Sequence, residues 1–158
     1  MVVHYVCRGV AAIAVCGTIM LGQASAETDR CALVKDSEIA EAIGPHEGGN
    51  AGLPNEWGNN SCRWTAKNAP AAKAPEGWRD AIELAVFEGT MRSWAKDRMR
   101  GEPIAGGPAN AQWDKSFGEL WFECAGGRVC VVKVRTAASK QRKEFATKFA
   151  QLVESRLR

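Results

Sequence analysis

The cysteines are the side chains with the widest chemical range in this sequence. There are six: Cys7, Cys16, Cys31, Cys62, Cys124 and Cys130. Thiolates hold zinc when pairs lie two to four residues apart with further Cys or His nearby. Here the closest pair, Cys124 and Cys130, has five residues between its members, and only two histidines exist. Thiol–disulfide catalysis uses Cys-x-x-Cys, which is absent. No metal site and no cofactor is therefore expected. Nucleophilic catalysis by a Ser-His-Asp or Cys-His set needs a histidine. His46, in Pro45-His46-Glu47-Gly48-Gly49, is the available one. No Gly-x-Ser-x-Gly nucleophile motif accompanies it, so it reads as a solvated loop histidine and no catalytic residue is assigned. The carboxylates are spread singly, and neither Gly48-Gly49 nor Gly106-Gly107 fits a phosphate-binding fingerprint.

The N-terminus decides which cysteines matter. His4 and Arg8 precede an uncharged, mostly apolar run from Gly9 to Gly22, and Ala24-Ser25-Ala26 forms a small-x-small site before Glu27. This pattern predicts a secretory signal over 1–26, cleaved to leave one domain over 27–158. The apolar run is too short to span a bilayer, and no later stretch is long enough. A lipid anchor on Cys16 is disfavoured by bulky Val15. The expected mature chain has 132 residues, four cysteines, one histidine, no tyrosine and all six tryptophans. Its 20 basic against 18 acidic residues leave almost no net charge, which argues against nucleic acid as a partner. The expected location is periplasmic or secreted.

In an oxidising compartment four cysteines read as two disulfides. One face of 119–124 carries Leu120, Phe122 and Cys124; one face of 129–135 carries Cys130, Val132 and Val134. An odd-length turn through Gly126-Gly127-Arg128 turns both sets inward and sets Cys124 opposite Cys130. That leaves Cys31 with Cys62, a bridge worth on the order of 3 kcal/mol on chain-entropy grounds.

The tryptophans are the less usual feature. Trp64 shares a strand face with Cys62, and Trp94 lies on a helix stripe; both are expected in the core. Trp57 and Trp78 fall in loops, Trp113 lies on a hairpin, and Trp121 shares a face with Glu119 and Glu123. An exposed indole flanked by carboxylates can mark a binding surface. Trp57, Trp78, Trp113 and Trp121 are thus the candidate ligand-binding residues. Two basic clusters, Arg92/Lys96/Arg98/Arg100 and Lys140/Arg142/Lys143/Lys148, read as solvated helix faces or as weakly attracting anionic envelope polymers or lipid headgroups.

Several elements must position these residues. Asp36 or Ser37 caps a short helix over 36–43, stopped by Gly44-Pro45. Residues 44–60 form a loop with one weak strand near 47–52. Strands follow at 61–66 and 80–88; the second is apolar on both faces and so belongs in the middle of a sheet. Thr90 caps a helix through Arg100 with Met91, Trp94, Ala95 and Met99 on one side. Ala111 and Trp113 begin a strand that leads to 119–124. A final helix over 138–157 buries Phe145, Phe149, Leu152 and Val153, with Glu144 and Lys148 as an i,i+4 pair. The order predicts an α+β fold: an antiparallel sheet with helices packed on it, and two disulfides.

Cys31-Ala32-Leu33-Val34, the helix ending at Gly44, Ser61-Cys62-Arg63-Trp64, Ala111-Gln112-Trp113-Asp114 and Gly118-Glu119-Leu120-Trp121 together resemble small exported bacterial α+β domains of uncharacterised function, PsbP-like in layout. The resemblance covers about 31–155. It implies a cell-envelope domain with a Cys31–Cys62 bridge and supplies no catalytic residue. The expected function is a non-catalytic binding or accessory domain of the envelope, with an envelope ligand or protein as partner. The alternatives are an envelope hydrolase using His46 or dispersed carboxylates, and an inhibitor or interaction protein for an envelope enzyme.

Overall fold

Alternation of apolar and polar residues builds one seven-stranded sheet, antiparallel at every pairing. The computed structural model describes residues 29–51, 57–68, 77–137 and 139–158. The expected signal over 1–26 lies outside the described residues. The strands are β1 (His46–Ala51), β2 (Ser61–Ala66), β3 (Ala81–Phe87), β4 (Glu102–Pro103), β5 (Gln112–Asp114), β6 (Glu119–Cys124) and β7 (Arg128–Arg135). They lie in the order β1-β2-β3-β7-β6-β5-β4. Among the described residues three α-helices complete the α+β fold: α1 (Asp36–Ile43), α2 (Met91–Asp97) and α3 (Arg142–Leu157). None is long and apolar enough to cross a membrane, among the described residues.

Strand β3 is buried at all seven positions. Its two faces feed two cores. Ile82, Leu84 and Val86 join Cys62, Trp64, Leu120, Phe122 and Val132 under α1 and α3, which contribute Ile39, Ala146, Phe149 and Val153. Ala85 and Phe87 join Trp57, Trp121, Val129 and Val131 under α2, which contributes Ala95 with Met91 and Trp94, and Met99 just beyond the helix packs beside them. A strand apolar on both faces can only be satisfied by cover on both sides.

Both disulfides form. Cys31 and Cys62 tie the N-terminal segment to β2, and Cys124 and Cys130 close the β6–β7 hairpin. The hairpin register corrects one expectation. Cys130 lies opposite Phe122, and Cys124 lies opposite Arg128, so the bridge runs diagonally. The turn is three residues, Ala125–Gly127, rather than five. Three and five are both odd, so the expected faces survive while the pairing slips by two.

Other boundaries differ locally. Lys35, not Asp36 or Ser37, precedes α1, and its N–H donates to Glu38 Oε2 at 2.8 Å. Thr90 occupies the cap position of α2 without a side-chain cap bond, and α2 ends at Asp97. A tight turn over Ser139–Gln141 precedes α3. Lys148 pairs with Glu41 of α1 at 3.0 Å instead of with Glu144. Phe145 and Leu152 of the expected stripe are only half-buried; they line a groove of about 440 Å³ beside Ala42 that the Glu41–Lys148 pair flanks. The small side chains Ala146 and Ala150 let α3 approach the sheet, and they take the buried positions instead.

Close approach explains two glycines. A Cβ on Gly101 would sit 2.3 Å from the Trp113 carbonyl oxygen. A Cβ on Gly49 would sit 3.0 Å from Cys62 Sγ and 3.1 Å from Cys31 Cβ, against the disulfide.

Candidate functional site

The second face of the sheet is apolar at one end and charged at the other. Register places Arg63, Glu83, Lys133 and Glu119 side by side across β2, β3, β7 and β6. Their charges alternate, which is the favourable order for directly opposed strand positions. Arg63 Nε lies 3.5 Å from Glu83 Oε1, and Lys133 Nζ lies 2.8 Å from Glu119 Oε1. Glu83 and Glu119 are each buried. The other Glu119 oxygen accepts from Trp121 Nε1 at 2.9 Å. Lys133 Nζ also sits 5.3 Å from the centroid of the Trp57 ring. The row is the border between the α2-covered core and an open cleft.

The tryptophan expectation is corrected on the covered side of this border. Trp57, Trp113 and Trp121 are buried, with 2%, 5% and 3% of their surface exposed. Trp121 does face away from the main core, as its alternation requires. That face is covered by α2 and the segment at Trp57. Its ring stacks on Phe87 at 5.9 Å and meets Trp57 and Trp94 edge-on at 6.3 and 6.4 Å. Trp113 packs in the main core from β5. Trp113 and Trp121 are therefore packed inside the fold, while Trp57, though buried, also lines the cleft on the other side of the border.

Trp78 is different. It is half-buried and lines a cleft of about 540 Å³ with Arg63, Glu83, Phe117, Arg135 and Arg142. Asp80 fixes its approach. Asp80 Oδ1 accepts from Trp78 Nε1 at 3.2 Å and from the Ala137 N–H at 3.0 Å, while Oδ2 accepts from Thr136 Oγ1 at 2.9 Å. The guanidinium of Arg135 lies 5.1 Å from the Trp78 ring centroid. Arg142 donates through Nε and Nη2 to the Thr136 carbonyl at 2.9 and 2.7 Å. One carboxylate thus joins the Trp78 segment to the end of β7, and Arg142 locks the same end to α3.

Phe117 is the residue that sequence reasoning missed. It is 64% exposed, at the tip of the turn between β5 and β6. Asp114 Oδ1 accepts from the N–H groups of Ser116 and Phe117 at 2.8 and 3.3 Å, so the backbone beneath the ring is fixed. Gly118, with φ +68°, closes the turn. The readable signal was a bulky aromatic inside Asp114-Lys115-Ser116-Phe117-Gly118, where a turn has no core to serve.

His46 opens β1 and is engaged at both ring nitrogens. Nδ1 accepts from the Gly48 N–H at 3.0 Å, so Nε2 carries the proton and donates to the Asp36 carbonyl at 3.1 Å. The imidazole side chain is 6% exposed, so it is a buried tie between α1 and β1, not a solvated loop group. The Asp36 carboxylate stands 3.9 Å away, outside hydrogen-bond reach. Among the described residues no group of three or more His, Cys, Asp or Glu could hold a metal ion.

The basic clusters are largely occupied. Lys96 reaches Glu123 at 2.9 Å, Arg98 covers the Trp94 ring at 4.8 Å, and Lys143 bonds Glu102. The Lys96 ammonium and the Asn110 amide hold the Glu123 carboxyl below its ordinary pKa, and the Lys143 ammonium does the same for Glu102. Neither carboxylate belongs to the cleft beside Trp78.

No family model, curated protein or solved structure matches this chain.

Proposed function

We propose that this chain is an exported binding or accessory domain of the cell envelope, and that its ligand site is the cleft between Trp78 and Phe117. The observation that carries the reading is the pairing of these two rings. One is exposed and held on a fixed turn, the other is half-buried, and both line a cleft of ligand size. Export is supported by the leader-like composition of 1–26 and by two disulfides, which persist in oxidising compartments. The non-catalytic part is supported by use of the reactive groups elsewhere. All four cysteines from Cys31 onward are bridged, and both nitrogens of His46 serve the backbone. The PsbP-like layout belongs to the same proposal, supported by one antiparallel sheet with α1 and α3 on its main face.

The test is a fragment screen by amide chemical shifts on the purified protein, using small aromatic and saccharide probes. Binders are expected to shift the amides of 78–80, 116–118 and 133–136, and Phe117→Ala is expected to weaken them. Shifts that cluster elsewhere, or binding indifferent to Phe117→Ala, overturn the assignment.

A further inference from the structure

We infer that the Trp78–Phe117 cleft takes an anionic ligand: a carboxylate or phosphate carried on a planar ring. This rests on the cleft being the ligand site, and it adds the chemistry that the ligand must have.

The walls of the cleft carry more positive than negative charge. Four cations line the cleft: Arg63, Lys133, Arg135 and Arg142. One carboxylate, Glu83, lines it with them, and Glu119 lies beside Lys133. Each carboxylate already has its cation. Arg63 stands by Glu83 and Lys133 by Glu119, in register along one row. Arg135 and Arg142 are left with none. Among the described residues Arg135 meets only the face of the Trp78 ring, and Arg142 bonds only the Thr136 carbonyl. Both residues are half-buried and neither forms an ion pair among the described residues, while the Asp80 carboxylate behind them is taken up by Trp78, Thr136 and Ala137. A concave wall with an excess of one sign focuses the field and concentrates counter-ions.

Shape points the same way. A guanidinium is a planar fork of donors that matches a carboxylate or phosphate in two parallel bonds. Arg142 has spent Nε and Nη2, and its Nη1 makes no hydrogen bond among the described residues. Arg135 lies over an indole ring, a contact that holds the cation without using a hydrogen bond of its own. Phe117 then supplies an apolar surface at the mouth of the same cleft. A simple ion would use the arginines and ignore the ring. A neutral aromatic would use the ring and leave both charges uncompensated. A ring bearing an anion uses both.

The experiment titrates the purified protein with phenyl phosphate, benzoate, benzyl alcohol and inorganic phosphate, read by amide shifts at 78–80, 116–118 and 133–136. Phenyl phosphate and benzoate are expected to bind there, to weaken as salt is added, and to exceed both benzyl alcohol and inorganic phosphate. Arg135→Gln is expected to weaken them roughly ten- to a hundredfold, the scale of one lost charge-assisted contact. Arg142→Lys keeps the charge near α3 and tests the fork without discarding the cation. Benzyl alcohol binding in the cleft as tightly as benzoate overturns the anion assignment and leaves the cleft standing. Inorganic phosphate matching phenyl phosphate overturns the ring. Failure of every probe to shift these amides overturns the cleft itself.

Discussion

Trp121 Nε1 donates to Glu119 Oε2 at 2.9 Å on a face of the sheet where both side chains are buried. The same carboxylate holds Lys133 at 2.8 Å through its other oxygen. Glu119 is therefore the joint between the aromatic core under α2 and the charged row beside the cleft. Glu119→Ala leaves an indole N–H and a largely buried ammonium unpaired and should cost about 3 kcal/mol. Glu119→Gln keeps a carbonyl acceptor for the indole and should cost about half as much. Urea midpoints at constant slope measure both; equal losses would show that the indole bond is irrelevant.

Gly101 makes a sharper steric prediction. Alanine there places Cβ 2.3 Å from the Trp113 carbonyl oxygen, and neither partner is a flexible side chain. The backbones of β5 and the segment leading to β4 must separate, so a loss above about 2 kcal/mol is expected. Gly106→Ala is the comparison. Its φ is +74° and no atom lies within 4 Å of the new Cβ. Only the left-handed backbone is disfavoured there, at about 1 kcal/mol. Thermal midpoints of the two variants separate clash from strain, and the order should not invert.

Much of this fold was legible because burial on one face and turn chemistry agree. Helix α1 and strands β2 and β6 begin and end where alternation and Gly-Pro placed them. The division of β3 into Ile82/Leu84/Val86 and Ala85/Phe87 followed from period two alone. What alternation does not carry is which element covers a face. Trp121 points where its neighbours Glu119 and Glu123 require, yet α2 and Trp57 close over it, and that is a long-range event. Register carries the same ambiguity: sliding a hairpin by two keeps every side chain on its face, so Cys124 opposite Arg128 and opposite Cys130 look alike in sequence. The cleft was hidden for a third reason. Trp78, Phe117, Arg135 and Arg142 come from four separate segments, joined through Asp80, Thr136 and the Val134 N–H on the Gly118 carbonyl.

The Glu38–Arg156 pair gives a pH signature. Arg156 donates to Glu38 through Nη1 and Nη2 at 2.9 and 2.7 Å, and Nη1 also reaches the Leu33 carbonyl at 2.7 Å. The Arg156 bonds hold the Glu38 carboxyl below its ordinary pKa; burial opposes this, and the Lys35 N–H reinforces it. A depressed folded pKa means the unfolded chain binds the proton more readily. The stabilisation is therefore full above the unfolded value and fades as pH falls through the folded one, on the acid side of the ordinary Glu range. Glu38→Gln should cost about 1 kcal/mol at neutral pH, as for a partly exposed pair, and nothing in strong acid. Denaturation curves of both proteins across that range should converge on acidification.

The two bridges should not contribute equally. Cys31–Cys62 spans a sequence separation of 31, while Cys124–Cys130 spans 6. Chain-entropy scaling assigns the longer loop about 3–4 kcal/mol and the shorter about 2. The shorter also joins strands that the β6–β7 ladder already aligns from Glu119 to Cys124, so its loss leaves the register in place. Cys31 has no such ladder: the segment before α1 is held by the disulfide, by Arg156 on the Leu33 carbonyl, by Arg30 beside Glu88 and by burial of Leu33 and Val34. Cys31→Ala/Cys62→Ala should therefore loosen the N-terminal segment and lower the melting temperature more than Cys124→Ala/Cys130→Ala. Mass spectrometry supplies the companion measurement. The protein recovered after export should begin at Glu27, gain four hydrogens on reduction and show no free thiol beforehand. A mass retaining 1–26 would overturn the leader reading, and equal melting losses for the two double variants would overturn the ranking of the bridges.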